Sequence, residues 1–503
     1  MSKPVRVRFA PSPTGPLHIG GVRTALFNYL FAKKNGGTFY LRIEDTDQNR
    51  FVPGAEAYIM EALEWLGIAP DETIGKNEKF GPYRQSERKP LYKEYADLLL
   101  NNGWAYYAFD TAESLDALRK SAEEQGKTFI YNHTVRQQLD NSLTHSAEKV
   151  AERINNGEEY VIRFKTPVDE TLHLNDMIRG DIKFETNLLD DKVLFKSDGM
   201  PTYHLANIVD DHLMETSHVI RGEEWLPSLP LHELLYKAFG WEAPKFAHLP
   251  LILKPVGNGK LSKRDGDKLG FPVFPLDWID PVTQEKSSGY REKGFFPEAV
   301  VNFLALLGWN DGTDQELFTL DELVAKFDLN RVHKAGAKFD PEKNKWFNHH
   351  YLVKQSDASL AEKFDIILKE KEINKERPYV EKVVSLVKER ATFVTDLYEL
   401  SDYFFTAPVT YDEKASKNWK EDTGSIMQEL ISVLENIGDF TSANIETIVK
   451  DWMTKNEIGM GKVMQPFRLS LVGALKGPHL FDIVEMIGKE ETINRLQKAI
   501  STL

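Results

Sequence analysis

A histidine and a pair of glycines lie where a strand pattern gives way to a helix pattern, in the segment APSPTGPLHIGG at residues 10–21. A loop that opens a helix offers free N–H groups and the positive end of the helix dipole to an anion. Gly20 and Gly21 carry no Cβ, so a phosphate or a flat base could come close, and His18 can donate a hydrogen bond without carrying charge. The segment indicates an anion-binding loop, although a proline- and glycine-rich turn with a surface histidine fits it equally well. No Walker A pattern occurs in the chain.

A second cluster of chemically active residues is the basic segment from Lys260 to Arg264, with Ser262 and Lys263 between them. Gly257, Gly259 and Gly266 flank it. A flexible loop with three cations could clamp a triphosphate and stabilise the charge on a departing pyrophosphate. Taken alone, the same composition is also that of a solvated basic turn.

Polar side chains also stand at the ends of apparent strands: Arg8, Glu44, Tyr203, Arg221 and Glu224. In open parallel sheets, ligands bind outside the carboxyl ends of the strands. Two arginines and a carboxylate would suit an amino acid with an acidic side chain, because arginine binds carboxylates bidentately and a carboxylate binds ammonium. Each of these residues alone is better explained as a surface ion pair, so only the set points to a site.

The elements that must position these residues follow an α/β pattern at the start of the chain. Residues 5–9 alternate apolar and basic side chains as a strand does, residues 26–31 have helical spacing, and residues 38–43 read as a second strand. A further helix begins at Pro53, and another spans about residues 228–239. This order predicts a parallel sheet with covering helices.

Two other regions depart from that pattern. Residues 97–194 mix polar helices with short strands, which predicts an inserted α+β domain, and the α/β pattern returns at Val193–Phe195 and at 218–220. Beyond about residue 295 the periodicity is helical, including one helix from Val380 to Leu397. The predicted fold class is therefore α/β: a Rossmann-type parallel-sheet catalytic domain with an inserted α+β domain, followed by an all-α C-terminal half.

Composition excludes several kinds of chemistry. The 503 residues contain no cysteine, which rules out disulfides, thiol nucleophiles and zinc sites with thiolate ligands. The adjacent His349 and His350 have no third ligand at a suitable spacing, so we expect no metal site. The absence of a signal sequence and of a long apolar run leads us to expect a cytoplasmic protein with no membrane contact. A net charge of −14 disfavours nucleic-acid binding by the whole surface, but it allows a local basic face.

Longer segments around these residues resemble one enzyme family. The segment PSPTGPLHIGG resembles the HIGH region of class I aminoacyl-tRNA synthetases, and KLSKR at 260–264 resembles their KMSKS loop. Four further segments are similar to the bacterial glutamyl-tRNA synthetases: RIEDTD at 42–47, GPYRQS at 81–86, SDGMPTYHLAN at 197–207 and RGEEW at 221–225. The resemblance covers residues 5–350 in good order and is weaker afterwards, although Gly461 to Arg468 is similar to that family's C-terminal segment.

The resemblance implies a two-step reaction. Glutamate would attack the α-phosphate of ATP to give glutamyl-adenylate and pyrophosphate, and the glutamyl group would then pass to the terminal adenosine of the tRNA for glutamate. In this family the first step usually requires bound tRNA. By position, the catalytic residues would be His18 and Lys263. ATP would be bound by His18, Gly20, Glu224, Lys260 and Lys263. Glutamate would be bound by Arg8, Ala10, Ser12, Glu44, Tyr203 and Arg221.

The resemblance also assigns roles to regions of the chain. Residues 1–96 and 195–240 would form the catalytic domain, 97–194 the domain that binds the tRNA acceptor end, 241–337 a stem-contact region with the KLSKR loop, and 338–503 the helical anticodon-binding domain. Mg²⁺ would arrive with ATP, and the lack of cysteine leads us to expect no zinc. The fourth HIGH position is Gly21 here, and glutamyl enzymes commonly carry a small residue there. The chain is expected to be a monomer.

Other functions fit parts of the same pattern. Glutaminyl-tRNA synthetases share the fold, but the segment that corresponds to Glu44–Asp47 typically reads Asp-Asp-Thr-Asn in them. A catalytically inactive RNA-binding relative would not need His18, Lys260 and Lys263. A nucleotidyltransferase of another kind would share the His-Ile-Gly loop but would not need a long helical tail. The sequence leaves open whether the tRNA for glutamine is also charged, and which residues read the anticodon.

Overall fold

The computed structural model describes residues 3–503. These residues form two compact units, one up to Asn344 and the other from Lys345 to Leu503. The expected domain boundaries, including the one at residue 338, stay predictions.

The strands and helices alternate in the first unit. In chain order they are β1 (Arg6–Phe9), α1 (Ile19–Lys34), β2 (Thr38–Leu41), α2 (Ala55–Trp65), α3 (Lys89–Asn101), β3 (Ala105–Ala108), α4 (Ala112–Glu124), α5 (Ala147–Asn155), β4 (Val161–Phe164), β5 (Thr171–Asp176), β6 (Gly180–Glu185), β7 (Val193–Phe195), α6 (Tyr203–Leu213), β8 (His218–Gly222), α7 (Leu229–Phe239), β9 (Lys245–Leu249), β10 (Ile252–Leu253), α8 (Lys263–Leu269), β11 (Trp278–Ile279), β12 (Lys286–Ser287), α9 (Pro297–Leu306), α10 (Leu320–Lys326) and β13 (Ala337–Lys338).

Only helices follow. They are α11 (Pro341–Val353), α12 (Asp357–Glu370), α13 (Arg377–Val387), α14 (Asp396–Ser401), α15 (Glu413–Ser416), α16 (Thr423–Glu435), α17 (Ser442–Lys455), α18 (Met460–Val472), α19 (Leu480–Ile487) and α20 (Lys489–Thr502). The predicted fold class is thereby confirmed, with a parallel-sheet core and a helical C-terminal half.

The core of the first unit is built from parallel strands. β1 pairs with β2 and β8 pairs with β9, both in parallel register. The N–H of Ser217, just before β8, donates to the carbonyl of Arg6 at 2.9 Å and so brings β8 beside β1. The carboxyl ends of β1 and β8 therefore lie at one edge, which is where a ligand site is expected.

Strand β1 differs from its expected form, since alternating apolar and basic residues usually line a half-exposed strand. Arg6 and Arg8 are instead 7% and 3% exposed. Glu72 accepts two hydrogen bonds from Arg6, and Asp211 accepts two from Arg8, so both buried charges are paired.

The inserted region contains two separate β structures. Strands β3, β4 and β7 form an antiparallel sheet, whereas the hairpin β5–β6 joins the core by pairing Asp176 with Phe246 of β9. The expectation that Val193–Phe195 returns the chain to the parallel sheet is therefore wrong. Its apolar pattern identifies a buried strand but not the sheet to which that strand belongs.

One helix predicted in the second unit is wrong. The predicted helix from Val380 to Leu397 ends at Val387, and α14 starts at Asp396. Residues 392–395, Thr-Phe-Val-Thr, are poor helix formers because their side chains lose χ1 freedom in a helix. The side chain of Asp396 accepts the N–H groups of Thr392 and Phe393 and thereby closes the turn between the two helices.

Candidate active site

His18 caps the first helix with its own ring. Its Nδ1 accepts the N–H of Gly20 at 3.1 Å, so the ring proton is on Nε2. Nε2 is buried and has no hydrogen-bond partner within residues 3–503. Burial, together with the charge of Lys260, lowers the pKa of His18 to about 4. At neutral pH this histidine is therefore an uncharged donor that still lacks an acceptor.

The glycines beside His18 leave space for a ligand. A Cβ on Gly20 would meet only the His18 ring, at 3.5 Å, so this face of the helix start is open. Gly21 is packed more tightly, since a Cβ there would lie 2.7 Å from Leu17. The structure thus favours the anion-site interpretation of this segment over that of a surface turn.

A cavity of about 250 Å³ lies at the carboxyl edge of the sheet. We call it the amino-acid cavity. Its walls include every residue that the sequence assigned to glutamate: Arg8, Ala10, Ser12, Glu44, Tyr203 and Arg221. The structure therefore brings the whole predicted set together in one place.

The arginines and carboxylates in and behind this cavity form one hydrogen-bonded network. Arg42, which is fully buried, donates to Glu44 at 2.9 Å and to Asp211 at 2.8 Å. Asp211 also accepts Nε and Nη2 of Arg8, and the Nη1 atom of Arg8 makes no hydrogen bond within residues 3–503. Burial by itself would raise the pKa of Asp211, but the charges of Arg8 and Arg42 lower it. Arg8 is thus fixed in place with one donor nitrogen still to use.

Two acidic groups line the cavity, Glu44 and Glu224, and Glu44 is the one in contact with the arginine network. Burial raises its pKa, although the nearby guanidinium of Arg42 acts in the opposite direction. The amide of Asn207 donates to the same oxygen, Oε1, at 3.0 Å. The other carboxylate oxygen, Oε2, makes no hydrogen bond within the described part of the chain, so it can accept an ammonium group.

Arg221 is held differently from Arg8. It donates to Nε2 of His248 at 3.0 Å, to Oη of Tyr203 at 3.2 Å and to Nδ1 of His232 at 3.2 Å. A fourth, longer contact reaches the carbonyl of Trp225 at 3.4 Å, and within the described residues none of these partners is a carboxylate. Burial lowers the pKa of Arg221. This guanidinium is the cation of the cavity that lacks an anion in contact with it.

A second cavity, also of about 250 Å³, lies beside the first. We call it the nucleotide cavity. His18, Gly20, Glu224 and Lys260 line it, which are four of the five residues expected to bind ATP. The residues common to both cavities are Gly21, Thr24, Gly222 and Glu224. Two ligands bound in the two cavities would meet at this shared wall.

The basic segment is only partly a loop. Lys263 is the first residue of α8, which a capping box between Ser262 and Asp265 begins. Lys260 donates to Glu224 at 3.2 Å, and Lys263 donates to Glu285 at 2.6 Å. Lys263 does not line either cavity in this structure. Its expected role at the phosphates stays a prediction, and the role requires that it leave Glu285.

Sequence reasoning missed several residues that build the site. Arg42 and Asp211 fix Arg8 and Glu44, His248 fixes Arg221, and Thr24 lies in the shared wall. One signal was present, because Asp210 and Asp211 follow Ile208 and Val209 in an apolar helix, and acidic residues in such a place are usually paired. Both are fully buried, as is their helix face.

Across residues 3–503 no three His, Asp or Glu side chains are grouped so as to hold a metal ion. The rings of His349 and His350 each contact a backbone carbonyl, of Ala391 and Trp346. In the same residues, no helix is both long enough and apolar enough to span a bilayer.

Comparison with known families defines the class of protein to which this site belongs. Residues 4–346 match the family model of the catalytic domain of class I tRNA synthetases (E and Q), and residues 357–500 match an anticodon-binding domain. The chain therefore belongs to the class I tRNA synthetases of the E and Q group.

Individual relatives within this class share one amino-acid specificity, for glutamate. The glutamate–tRNA ligase of Flavobacterium johnsoniae is 80% identical over 503 residues, and the match covers all of both chains. That of Christiangramia forsetii is 63% identical, again over the full length of both. A crystal structure of a glutamate tRNA ligase from Elizabethkingia meningosepticum, in complex with its amino acid, has a TM-score of 0.97 and 55% identity over both full chains.

Proposed function

We propose that this chain is a glutamate–tRNA ligase. It activates L-glutamate with ATP to glutamyl-adenylate and transfers the glutamyl group to the 3′ terminal adenosine of the tRNA for glutamate. The single observation that carries this proposal is the pair of cavities that share a wall, one with an unneutralised arginine and the other with a neutral histidine donor. Membership of the family and the names of the full-length relatives support it.

Glutamate is placed in the amino-acid cavity by charge. Arg8 offers its unused Nη1, Arg221 and Tyr203 offer further donors, and Glu44 accepts the ammonium group. Ala10 and Ser12 line the same cavity. Both carboxylates of the substrate and its ammonium therefore have partners.

The same charges discriminate against glutamine. The arginines Arg8, Arg42 and Arg88 are balanced by Glu44, Asp210 and Asp211, with which they form ion pairs. Arg221 contributes a charge that no contacting carboxylate balances. Glutamate brings two carboxylates, one for Arg221 and one for the unused donor of Arg8, whereas glutamine brings one and leaves the other guanidinium facing an uncharged amide.

ATP is placed in the nucleotide cavity, with Mg²⁺ carried on its phosphates as part of the substrate. His18 donates from Nε2, Gly20 allows close approach, and Glu224 and Lys260 contribute from the same cavity. A carboxylate oxygen of glutamate attacks the α-phosphorus, a C(=O)–O–P bond forms, and the bond to pyrophosphate breaks. Positioning and charge stabilisation suffice for this step, so no protein nucleophile is needed. Lys263 stabilises the developing negative charge after it leaves Glu285.

The tRNA binds along the length of the chain. Residues 97–194 take the acceptor end, residues 241–337 contact the stem, and residues 338–503 read the anticodon; the match of 357–500 to an anticodon-binding domain supports the last of these. We propose that the enzyme acts in the cytoplasm and as a monomer, the latter because residues of a single chain line both cavities.

A glutaminyl enzyme is the closest alternative, since the family model covers both specificities. Against it stand Glu44–Asp47 in place of Asp-Asp-Thr-Asn, the lack of a carboxylate in contact with Arg221 among the described residues, and the names of the relatives. An inactive relative is opposed by His18 and Lys260, which remain in the nucleotide cavity.

Charging of two purified tRNAs with labelled glutamate tests the proposal and answers what the sequence left open. We expect the tRNA for glutamate to be charged. Charging of the tRNA for glutamine as well would identify a non-discriminating ligase. A control enzyme that charges tRNA under the same conditions shows that the assay works. If that control is active and the protein charges neither tRNA, the proposed function is contradicted.

A further inference from the structure

A line of three buried side chains runs from the inserted hairpin to the amino-acid cavity. Oδ2 of Asp176, the last residue of β5, lies 2.6 Å from Nδ1 of His248 in β9. Nε2 of His248 lies 3.0 Å from Nε of Arg221 in β8. Asp176 and His248 have 1% and 0% of their surface exposed. The three strands are neighbours in one sheet, so the line crosses it perpendicular to the strands.

The contacts fix the protonation of each group. Arg221 can only donate, so Nε2 of His248 must accept and the ring proton must be on Nδ1, facing Asp176. Burial lowers the pKa of His248 more than the hydrogen bond to Asp176 raises it. Asp176 is ionised, because Oδ1 also accepts the N–H groups of Ile178 and Arg179. The line is thus a carboxylate, a neutral imidazole and a guanidinium.

The donors of Arg221 are almost all used by uncharged acceptors. Nε is fixed by His248, and the two hydrogens of Nη1 by Tyr203 and His232. Of Nη2, one hydrogen points to the carbonyl of Trp225 at 3.4 Å, which leaves the other for a ligand. Tyr203 accepts from Arg221, so its own hydroxyl hydrogen is also available. Rotation of the guanidinium about its Nε bond would break three of these contacts.

Comparison with Arg8 shows what the interposed imidazole does. A carboxylate in direct contact, such as Asp211 beside Arg8, neutralises the arginine with which it pairs. The imidazole of His248 separates Asp176 from Arg221. Asp176 therefore orients this ring, and through it the guanidinium, without forming an ion pair with Arg221. Burying an arginine without an anion in direct contact is costly, so the arrangement is explained if the contacting anion is the substrate.

We propose that His248 and Asp176 are positioning residues for the substrate carboxylate: they hold Arg221 in the orientation that binds glutamate and leave its charge for that carboxylate. The proposal rests on the proposed function, in which Arg221 binds glutamate. It adds a specificity element that lies outside the amino-acid cavity, since neither residue lines that cavity.

Three substitutions separate the two hydrogen bonds of the ring. His248→Asn keeps an amide at the Nδ1 position, facing Asp176, and removes the acceptor for Arg221. His248→Gln places an amide oxygen near the Nε2 position and keeps that acceptor. Asp176→Asn can retain the turn through Oδ1, but its NH₂ group forces the His248 proton onto Nε2, opposite the Nε–H of Arg221. His218→Asn is the matched control, because His218 lies on the same strand as Arg221 but contacts Ser217 and Phe31 instead.

The measurement is ATP–pyrophosphate exchange by the full-length protein with tRNA present, giving the KM for glutamate, the KM for ATP and kcat. We expect His248→Asn and Asp176→Asn to raise the glutamate KM roughly tenfold or more, with the ATP KM within about twofold of the parent value. His248→Gln should recover most of the loss, and His218→Asn should leave both constants unchanged.

Three outcomes would overturn the proposal. The first is an unchanged glutamate KM in His248→Asn, and the second is an equal change in the KM values for glutamate and ATP. The third is loss of folding in both His248→Asn and Asp176→Asn, which would show that the three side chains have only a structural role. A failure of the proposed function itself is distinguishable, because the unsubstituted protein would then show no glutamate-dependent exchange at all.

Discussion

The two units of the molecule treat charge in opposite ways. In the unit up to Asn344, charged side chains are buried and grouped behind the amino-acid cavity, among them Arg8, Arg42 and Asp211. In the unit from Lys345 to Leu503, all of which the structure describes, Arg495 is the one charged side chain that is buried, and it contacts the carbonyls of Tyr403 and Leu471. Apolar side chains and a few uncharged polar ones, among them Asn348, Ser470 and Thr492, fill the remainder of the helical interior.

This difference indicates where each unit can perform its function. Buried charges are costly and are retained where they act on a ligand or hold a group that does. The first unit therefore carries its chemistry at a few side chains that can be named. The second unit can recognise a large substrate only with its surface, through many contacts that each contribute little.

If the chemistry of the first unit depends on a few side chains, removal of the Lys263 amine should have the largest effect on the reaction rate. Lys263→Ala should slow adenylate formation roughly 100- to 1,000-fold, because one donor to developing charge is removed. The KM for ATP should change little, since Lys263 is away from the nucleotide cavity in this structure. Single-turnover kinetics of adenylate formation measure the rate.

Lys268→Ala is the control for this prediction, because Lys268 is exposed in the same helix, α8. It should leave the rate unchanged. An equal rate for Lys263→Ala and the parent protein would show that the basic segment is only a surface turn.

The buried arginines provide a second way to sharpen the comparison. Arg8→Leu should raise the KM for glutamate roughly 10- to 100-fold and leave the KM for ATP nearly intact. Arg6→Leu is matched to it, since Arg6 lies in the same strand and also pairs with a carboxylate, the partly buried Glu72, but Arg6 does not line the amino-acid cavity. Both variants should lower the free energy of unfolding, and only Arg8→Leu should change the glutamate KM. Equal effects of Arg8→Leu on the KM values for both substrates would indicate that Arg8 contacts the nucleotide.

Removal of the helical unit tests the other side of the comparison. The sequence suggested a cut near residue 338, but β13 (Ala337–Lys338) pairs with β10, and Phe339 stacks on Phe271 in the first unit. A chain that ends at Asn344 avoids this damage. It should still bind ATP, while the Kd for tRNA should rise roughly tenfold or more because backbone and base contacts are lost. Filter binding at matched salt measures this, and an unchanged Kd would remove the anticodon assignment.

The smallest expected effect concerns the resting position of Lys263. Glu285→Gln removes the charge that holds the amine, and an exposed pair of this kind stabilises by at most about 1 kcal/mol. Adenylate formation should therefore become faster by up to about fivefold. Glu292→Gln, in a nearby acidic residue that pairs with Arg291 instead, is the control. A slower rate in Glu285→Gln would indicate that the contact belongs to the active arrangement.

Sequence alone predicted the fold class and six residues that the structure brings together in the amino-acid cavity, because residues at strand ends and in loop segments keep recognisable local patterns. It did not predict that Arg6 and Arg8 are buried, since the partners that permit this, Glu72 and Asp211, are far away in the chain. Nor could it show His248 or Thr24, whose roles depend on which strands and helices become neighbours. The sheet of Val193–Phe195 was misassigned for the same reason.

The central claim is that the cavity with unneutralised Arg221 selects an acidic amino acid for activation by ATP. ATP–pyrophosphate exchange by the full-length protein, with tRNA for glutamate present and with glutamate or glutamine as the amino acid, tests it most directly. We predict exchange with glutamate that is strongly enhanced by the tRNA, and a kcat/KM for glutamine at least about 100-fold lower, because a buried charge would be left unpaired. Exchange with glutamine but not with glutamate would contradict the account.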